Sequence, residues 1–237
     1  MSTRAVLQRI GVIGDVHQED KNLESALRFF AERDLDAILC VGDIPDGSGN
    51  LARCIELLQQ YKVETIGGNH ERWALEGTFR DLPEAIPTEN ISDEQRDFLL
   101  SLPATREFAT SAGRLLLCHG IGANDMAQVR PDDLPFALER NADLQALIAE
   151  ARYRFVVNGH SHQRMVRHFG GMTMINAGTL HERFRPCCVI IDVTEAIANF
   201  FDVERDGNIE AAETHSLWGP PTRSQESQAP VYSQSTG

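Results

Sequence analysis

Arg9-Ile10-Gly11-Val12-Ile13-Gly14-Asp15-Val16-His17 is an apolar run that ends on a glycine, a carboxylate and a histidine. The same design recurs along the chain. Residues 9–13, 37–41, 63–66, 114–118, 155–157, 172–175 and 187–193 are short runs rich in Val, Ile and Leu. Bounded by glycine and polar residues, they read as buried strands. Segments with helical spacing lie between them. Leu23, Ala26, Leu27 and Phe30 share one face, as do Leu51, Cys54, Ile55 and Leu58. Ser92 and Gln95 fit a capping box that starts a helix through Phe98, Leu99 and Leu102. A further helix is expected over 134–151, with Leu138, Ala142, Leu144, Leu147 and Ile148 as its apolar positions. Strand and helix alternate early, and strands dominate after Phe155. That order predicts a mixed α/β (α+β) chain with mixed sheets and helices outside, rather than one purely parallel sheet.

Composition narrows the class. The chain has 237 residues, of which 42% are hydrophobic, enough for one large domain or one domain with an appendage. Residues 1–205 read as that domain, with 76–113 as an insert that could act as a lid. Apolar runs stop after Arg205, so 206–237 reads as a C-terminal extension, flexible from about 219, where Pro, Ser, Gln and Gly dominate. The formal charge is −13, from 35 acidic and 22 basic residues, which disfavours nucleic acid and anionic membranes as partners. No run reaches the ~20 apolar residues of a membrane span, and residues 1–10 lack signal-peptide features. The five cysteines follow no disulfide or zinc spacing, and Cys40, Cys118, Cys187 and Cys188 lie in apolar runs. A reducing cytoplasm is the expected setting.

The polar residues that follow the strands carry the chemistry. Five runs end in Gly14-Asp15-Val16-His17, Gly42-Asp43, Gly68-Asn69-His70, His119-Gly120 and Gly159-His160-Ser161-His162. Loops at the carboxyl ends of strands are where α/β sheets place ligands, and glycine lets the backbone come close to a bound group. Five of the eight histidines fall in these clusters. Each cluster alone has a plainer reading. Asp15 and His17 could cap a helix, Asp43 and Gly68-Asn69 could open turns, and His119 could be a hydrogen-bonded structural residue. Together they supply two aspartates, one asparagine and four histidines besides His70. That nitrogen and oxygen set suits Mn, Fe, Zn, Ni or Co. Seven ligands exceed the four of a structural zinc site and match two metals sharing a carboxylate.

The ordered set Asp-x-His, Gly-Asp, Gly-Asn-His-Glu, His-Gly and Gly-His-x-His resembles the calcineurin-like metallophosphoesterases, over Asp15 to His162. Asn176-Ala177-Gly178-Thr179 is similar to the Asn-Pro-Gly-Ser stretch of small bacterial and archaeal members, with alanine in place of proline. The segment from Ser92 to Leu102-Pro103 looks like one in the same members. The resemblance implies two packed mixed sheets flanked by helices, a four-layer αββα sandwich. It implies a first metal on Asp15, His17 and His162, a second on Asn69, His119 and His160, and Asp43 between them. It further implies hydrolysis of phosphodiester or phosphomonoester bonds by a hydroxide shared between the metals, with His70 on the leaving-group side.

Weaker candidates and rival readings remain. Asp46 matches the second aspartate of the Gly-Asp-x-x-Asp-Arg-Gly motif of protein Ser/Thr phosphatases, where it supports the histidine equivalent to His70; the alternative is a plain turn. Gly47 stands where their arginine would be, which counts against a protein phosphatase. Arg72 could bind phosphate or be an exposed helix-start residue. His181, Arg183 and Arg185 could reach the cleft as substrate-binding residues, and Trp73 and Phe79 read as core. The rival functions are an interaction scaffold on the same fold, which loss of motif histidines would mark, and a nuclease, which needs a local basic patch.

Overall fold

Consecutive side chains of a strand face opposite ways, so a strand apolar at every position must have both faces covered. In the computed structural model, which describes residues 6–219, that is what the apolar runs do. One six-stranded sheet has the order β11-β10-β9-β1-β2-β3. Its strands are β1 (Arg9–Ile13), β2 (Ala37–Cys40), β3 (Glu64–Thr65), β9 (Cys187–Asp192), β10 (Ile197–Val203) and β11 (Ile209–Ser216). The second, five-stranded sheet has the order β4-β5-β6-β8-β7. It is built from β4 (Thr105–Thr110), β5 (Gly113–Cys118), β6 (Phe155–Asn158), β7 (Arg164–Phe169) and β8 (Met172–Ala177). Both sheets are mixed. β1, β2 and β3 run parallel while β9 is antiparallel to β1, and β5, β6 and β8 run parallel while β4 and β7 are antiparallel.

Alternate residues sort into layers. Ile10, Val12, Leu39, Val41, Val189 and Ile191 meet Leu115, Leu117, Phe155, Val157 and Ile175 between the sheets. Ile13, Cys40, Cys188 and Ile190 face outward onto Leu23, Leu27 and Phe30 of α1 (Asp20–Ala31) and Leu51, Cys54 and Leu58 of α2 (Leu51–Gln60). On the far side Leu116, Cys118, Val156 and Met174 pack against Leu144 and Leu147 of α6 (Ala142–Glu150). The order helix, sheet, sheet, helix is the expected four-layer sandwich. Burying this much apolar area, at about 25 cal/mol per Å², is the main favourable contribution to folding.

Three expectations need correction. The helix over 134–151 is two helices, α5 (Pro135–Arg140) and α6, because Asn141 ends the first and caps the second by accepting from Leu144 N at 3.0 Å. The chain beyond Arg205 does not leave the sheet, since β11 pairs along its length with β10 and Leu217 is fully buried. The stretch 76–113 is not all lid. It holds α4 (Asp93–Ser101), with the Ser92–Gln95 capping box in place, and β4, paired with β5. Leu99 of α4 packs on Ala74 of α3 (Asn69–Glu76). The tail expected from about 219 lies outside the described residues. Among the described residues no helix is long and apolar enough to cross a membrane, and all five cysteines are buried and free.

Candidate metal centre

The turns that follow β1, β2, β3, β5 and β6 bring the five polar clusters to one edge of the sandwich. The backbone there is bent hard. His17, Asp43, Asp46, His160 and His162 all take positive φ, between 46° and 68°. Non-glycine residues rarely adopt this region, and it concentrates where side chains must be aimed. Gly159 must be a glycine for a different reason, since a Cβ there would lie 2.3 Å from Asp15 Oδ1.

The aim is convergent. One nitrogen or oxygen from each of Asp15, His17 and His162 lie within 4.8 Å of one another, and so do atoms of Asp43, His119 and His160. Asp15 Oδ2 is 3.4 Å from His162 Nε2, whose ring nitrogen is 3.0 Å from His17 Nε2. On the other side His119 Nε2 lies 3.1 Å from Asp43 Oδ2 and 3.0 Å from Asn69 Oδ1. His70 also closes on the centre, contributing a third grouping with His17 and Asp43. All seven expected ligand residues and His70 are thus brought together.

Neighbouring residues fix these positions, and among them sequence reasoning assigns no role to Glu71. Glu71 is buried and accepts from the backbone N–H of Asp43 (3.0 Å), Ile44 (2.6 Å) and Gly68 (2.7 Å), tying the turn after β2 to the start of α3. The Asn176–Thr179 stretch braces the opposite side. Thr179 Oγ1 and Leu180 N donate to Asp15 O, and Asn176 Nδ2 donates to Gly159 O. Asp46 is more than a turn residue. Its carboxylate accepts from His70 Nδ1 at 2.7 Å and from both terminal nitrogens of Arg80, a residue no motif had marked.

A family model, the calcineurin-like phosphoesterase superfamily domain, matches residues 9–196. The chain belongs to this superfamily. Two solved structures share the fold: a metallophosphoesterase from Sphaerobacter thermophilus and a hypothetical protein from Pyrococcus horikoshii. The first has a TM-score of 0.61 at 19% identity and covers 84% of this chain and 88% of its own. The second has a TM-score of 0.68 at 14% identity and covers 83% and 88%. An uncharacterized protein of Methanocaldococcus jannaschii is 26% identical over 121 residues, 48% of this chain. The match spans 50% of that curated relative's length.

Members of the calcineurin-like superfamily typically bind divalent metals, and the donors here fit such ions. His119 Nδ1 is 2.8 Å from the carbonyl of Val41 and must donate to it. In a neutral ring the bare lone pair of Nε2 would then face a carboxylate oxygen, a repulsive contact, so the pair needs either a proton on Nε2 or a cation between the two atoms. His17 Nδ1 likewise donates to Asp46 O at 2.9 Å, which leaves the Nε2 lone pair facing His162 Nε2. Burial, reinforced by neighbouring histidines, lowers His17 to about 4 and His162 to about 3, so both are neutral imidazoles at pH 7. Asp15 Oδ2 is buried with no hydrogen-bond partner. Buried carboxylates and neutral imidazoles with tethered Nδ1 atoms are what a metal-binding member of the superfamily needs.

The weaker candidates fare unevenly. His181 stands beside the centre, its ring 5.3 Å from that of His17, between Glu19 and Glu84. Arg183 is paired with Glu84, and Arg185 reaches Asp202 and Glu213 instead of the cleft. Arg72 is taken up by a bidentate pair with Asp125, both contacts 2.8 Å. Trp73 is buried as expected, whereas Phe79 is 56% exposed, its ring 4.7 Å from that of Trp73.

Proposed function

We propose that this phosphoesterase-family protein hydrolyses phosphate esters at a centre of two divalent transition-metal ions. Asp15, His17 and His162 hold one ion, Asn69, His119 and His160 hold the other, and Asp43 is shared. The observation that carries this reading is the aim of His119 Nε2 and Asp43 Oδ2 at one point, 3.1 Å apart, where a positive charge is needed between them, a proton without metal and an ion with it. Two such ions, when bound, polarise phosphoryl oxygens and bring the pKa of a water to about 7.

The chain's own residues supply the rest. Asp46 holds His70 by Nδ1, so Nε2 is the nitrogen left to meet substrate. Burial works against a charge on His70, yet the hydrogen bond to Asp46 and the nearby Asp43 raise its pKa. That direction favours the protonated ring, from which a proton could pass to the departing oxygen. A protein Ser/Thr phosphatase-like activity lacks its arginine here, and a Cβ at Gly47 would lie 1.8 Å from His17 O, so no side chain fits. Loss of motif histidines would mark a scaffold, and all of them are present here. Five buried free thiols support a reducing, cytoplasmic setting.

Assaying metal-loaded and chelator-stripped protein on bis-p-nitrophenyl phosphate and p-nitrophenyl phosphate tests the reading. Hydrolysis of at least one ester, lost on stripping and restored by Mn²⁺, is expected. Metal uptake without turnover of either ester would favour the scaffold.

A further inference from the structure

One cavity abutting the proposed centre has no assigned role. About 350 Å³ in volume, it reaches His119 and Gly68 at its inner end. Leu75 of α3 and Leu99 and Leu102 at α4 form one side, and Ala123 and the Arg72–Asp125 pair form another. Its size falls at the lower end of small-molecule sites, which run from about 300 to 1,000 Å³.

The lining decides what it can accept. Four leucines, Leu100 being the fourth, favour an apolar group over a hydrated one. A second phosphate is disfavoured, because the cavity's arginine already gives both Nε and a terminal nitrogen to Asp125, and Glu76 adds another negative charge. A free cation would meet Asp125 already neutralised, and Glu71 has its carboxylate committed to three backbone amides. What remains is an uncharged, largely apolar group of one or two rings.

Resting on the two-metal reading above, we propose that this cavity is the subsite for an uncharged aryl or heteroaryl group carried by the phosphate ester. The phosphorus would lie over the metal donors and the ring would extend past His119 between α3, α4 and Ala123. The protein would thus select aromatic phosphate esters over alkyl ones of equal charge, and would reject substrates with a second phosphate on that arm.

Phenylphosphonate and methylphosphonate test this, since they share a phosphonate head and differ by the ring. Their dissociation constants are measured calorimetrically on full-length, Mn²⁺-loaded protein, with metal content determined on the same samples. Phenylphosphonate should bind about tenfold more tightly or better. Ala123→Trp and Ala104→Trp, two variants at exposed lining positions, should each cut that preference below about threefold while methylphosphonate affinity stays within about twofold. Equal affinities in fully metal-loaded wild type would overturn the proposal alone. An unchanged ring preference in both variants would also overturn it, as would loss of methylphosphonate binding in both, which would put these walls at the phosphate itself. Failure to take up metal at all would instead defeat the two-metal reading on which the proposal rests.

Discussion

The carboxylate of Asp46 stands between His70 and Arg80: Oδ2 accepts from His70 Nδ1 at 2.7 Å, and Arg80 grips both oxygens at 2.8 and 2.9 Å. Ile86 N adds a fourth donor at 2.9 Å. The loop carrying Arg80 and Ile86 is thereby bonded to the residue that orients the proposed acid. Asp46→Asn keeps a side chain that tolerates the positive φ of 66° at this position. It should retain both metals yet lose about 10- to 100-fold in turnover, the usual cost of removing such an orienting partner. Because the Asp46 charge helps to raise His70, the alkaline limb of the pH–rate profile should move to lower pH in this variant. An unshifted limb would show that Asp46 does not tune His70.

His70→Ala should keep both metals and lose turnover according to the leaving group. A general acid contributes about 10²–10⁴-fold where the departing oxygen needs a proton. The loss should therefore be large on alkyl phosphate esters and much smaller on nitrophenyl esters. His70 also closes on His17 and Asp43, so metal analysis of the variant is the decisive control. A missing metal would make His70 a ligand.

Glu71→Gln should destabilise the fold. Its carboxylate accepts three backbone N–H groups, and an amide would point N–H donors at some of those donors. Hydrogen bonds to a charged group are worth about 1.5–3 kcal/mol, so a loss of about 2–3 kcal/mol is expected. For a chain of this size that is a fall in Tm of about 5–10 °C. A Tm unchanged in metal-loaded protein would mean that Glu71 does not hold the two turns together.

Metal uptake should release protons. In the metal-free site burial, only partly offset by the charge of His119, pushes Asp15 up to about 7. Burial opposes charge on His119, but Asp43 and Asp15 outweigh it and raise the imidazole to about 10. Both groups must be deprotonated to bind metal, so the protons they hold must leave as metal enters. Apparent affinity should accordingly fall as pH drops through 7, and calorimetry in buffers of different ionisation enthalpy should count the protons released. Affinity independent of pH between 6 and 8 would contradict the assignment of these two residues.

The centre was legible in the sequence because six of its seven donors follow β1, β2, β5 and β6, which read as apolar runs, while Asn69 follows the short edge strand β3 and was marked by its own Gly68-Asn69-His70 cluster. Strands with a solvated face were not. β4, β7 and β11 are edge strands, and β11 reads Ile-Glu-Ala-Ala-Glu-Thr-His-Ser, in which no apolar run survives. The aromatic pair Phe200–Phe201 was a signal that could have found β10. Asn141 likewise carried a helix-cap signal that would have split the 134–151 helix. Arg80 left no local trace, because its partner is 34 residues away and only the tertiary fold joins them. Glu71 lay inside a recognised motif, but its role appears only when the turns after β2 and β3 are seen together.

Anomalous diffraction from Mn²⁺-loaded crystals tests the two-metal account most directly. It predicts two peaks about 3.5–4 Å apart, both touching Asp43, one also held by Asp15, His17 and His162, the other by Asn69, His119 and His160. A single peak, or a pair in which either ion lacks Asp43, would contradict it.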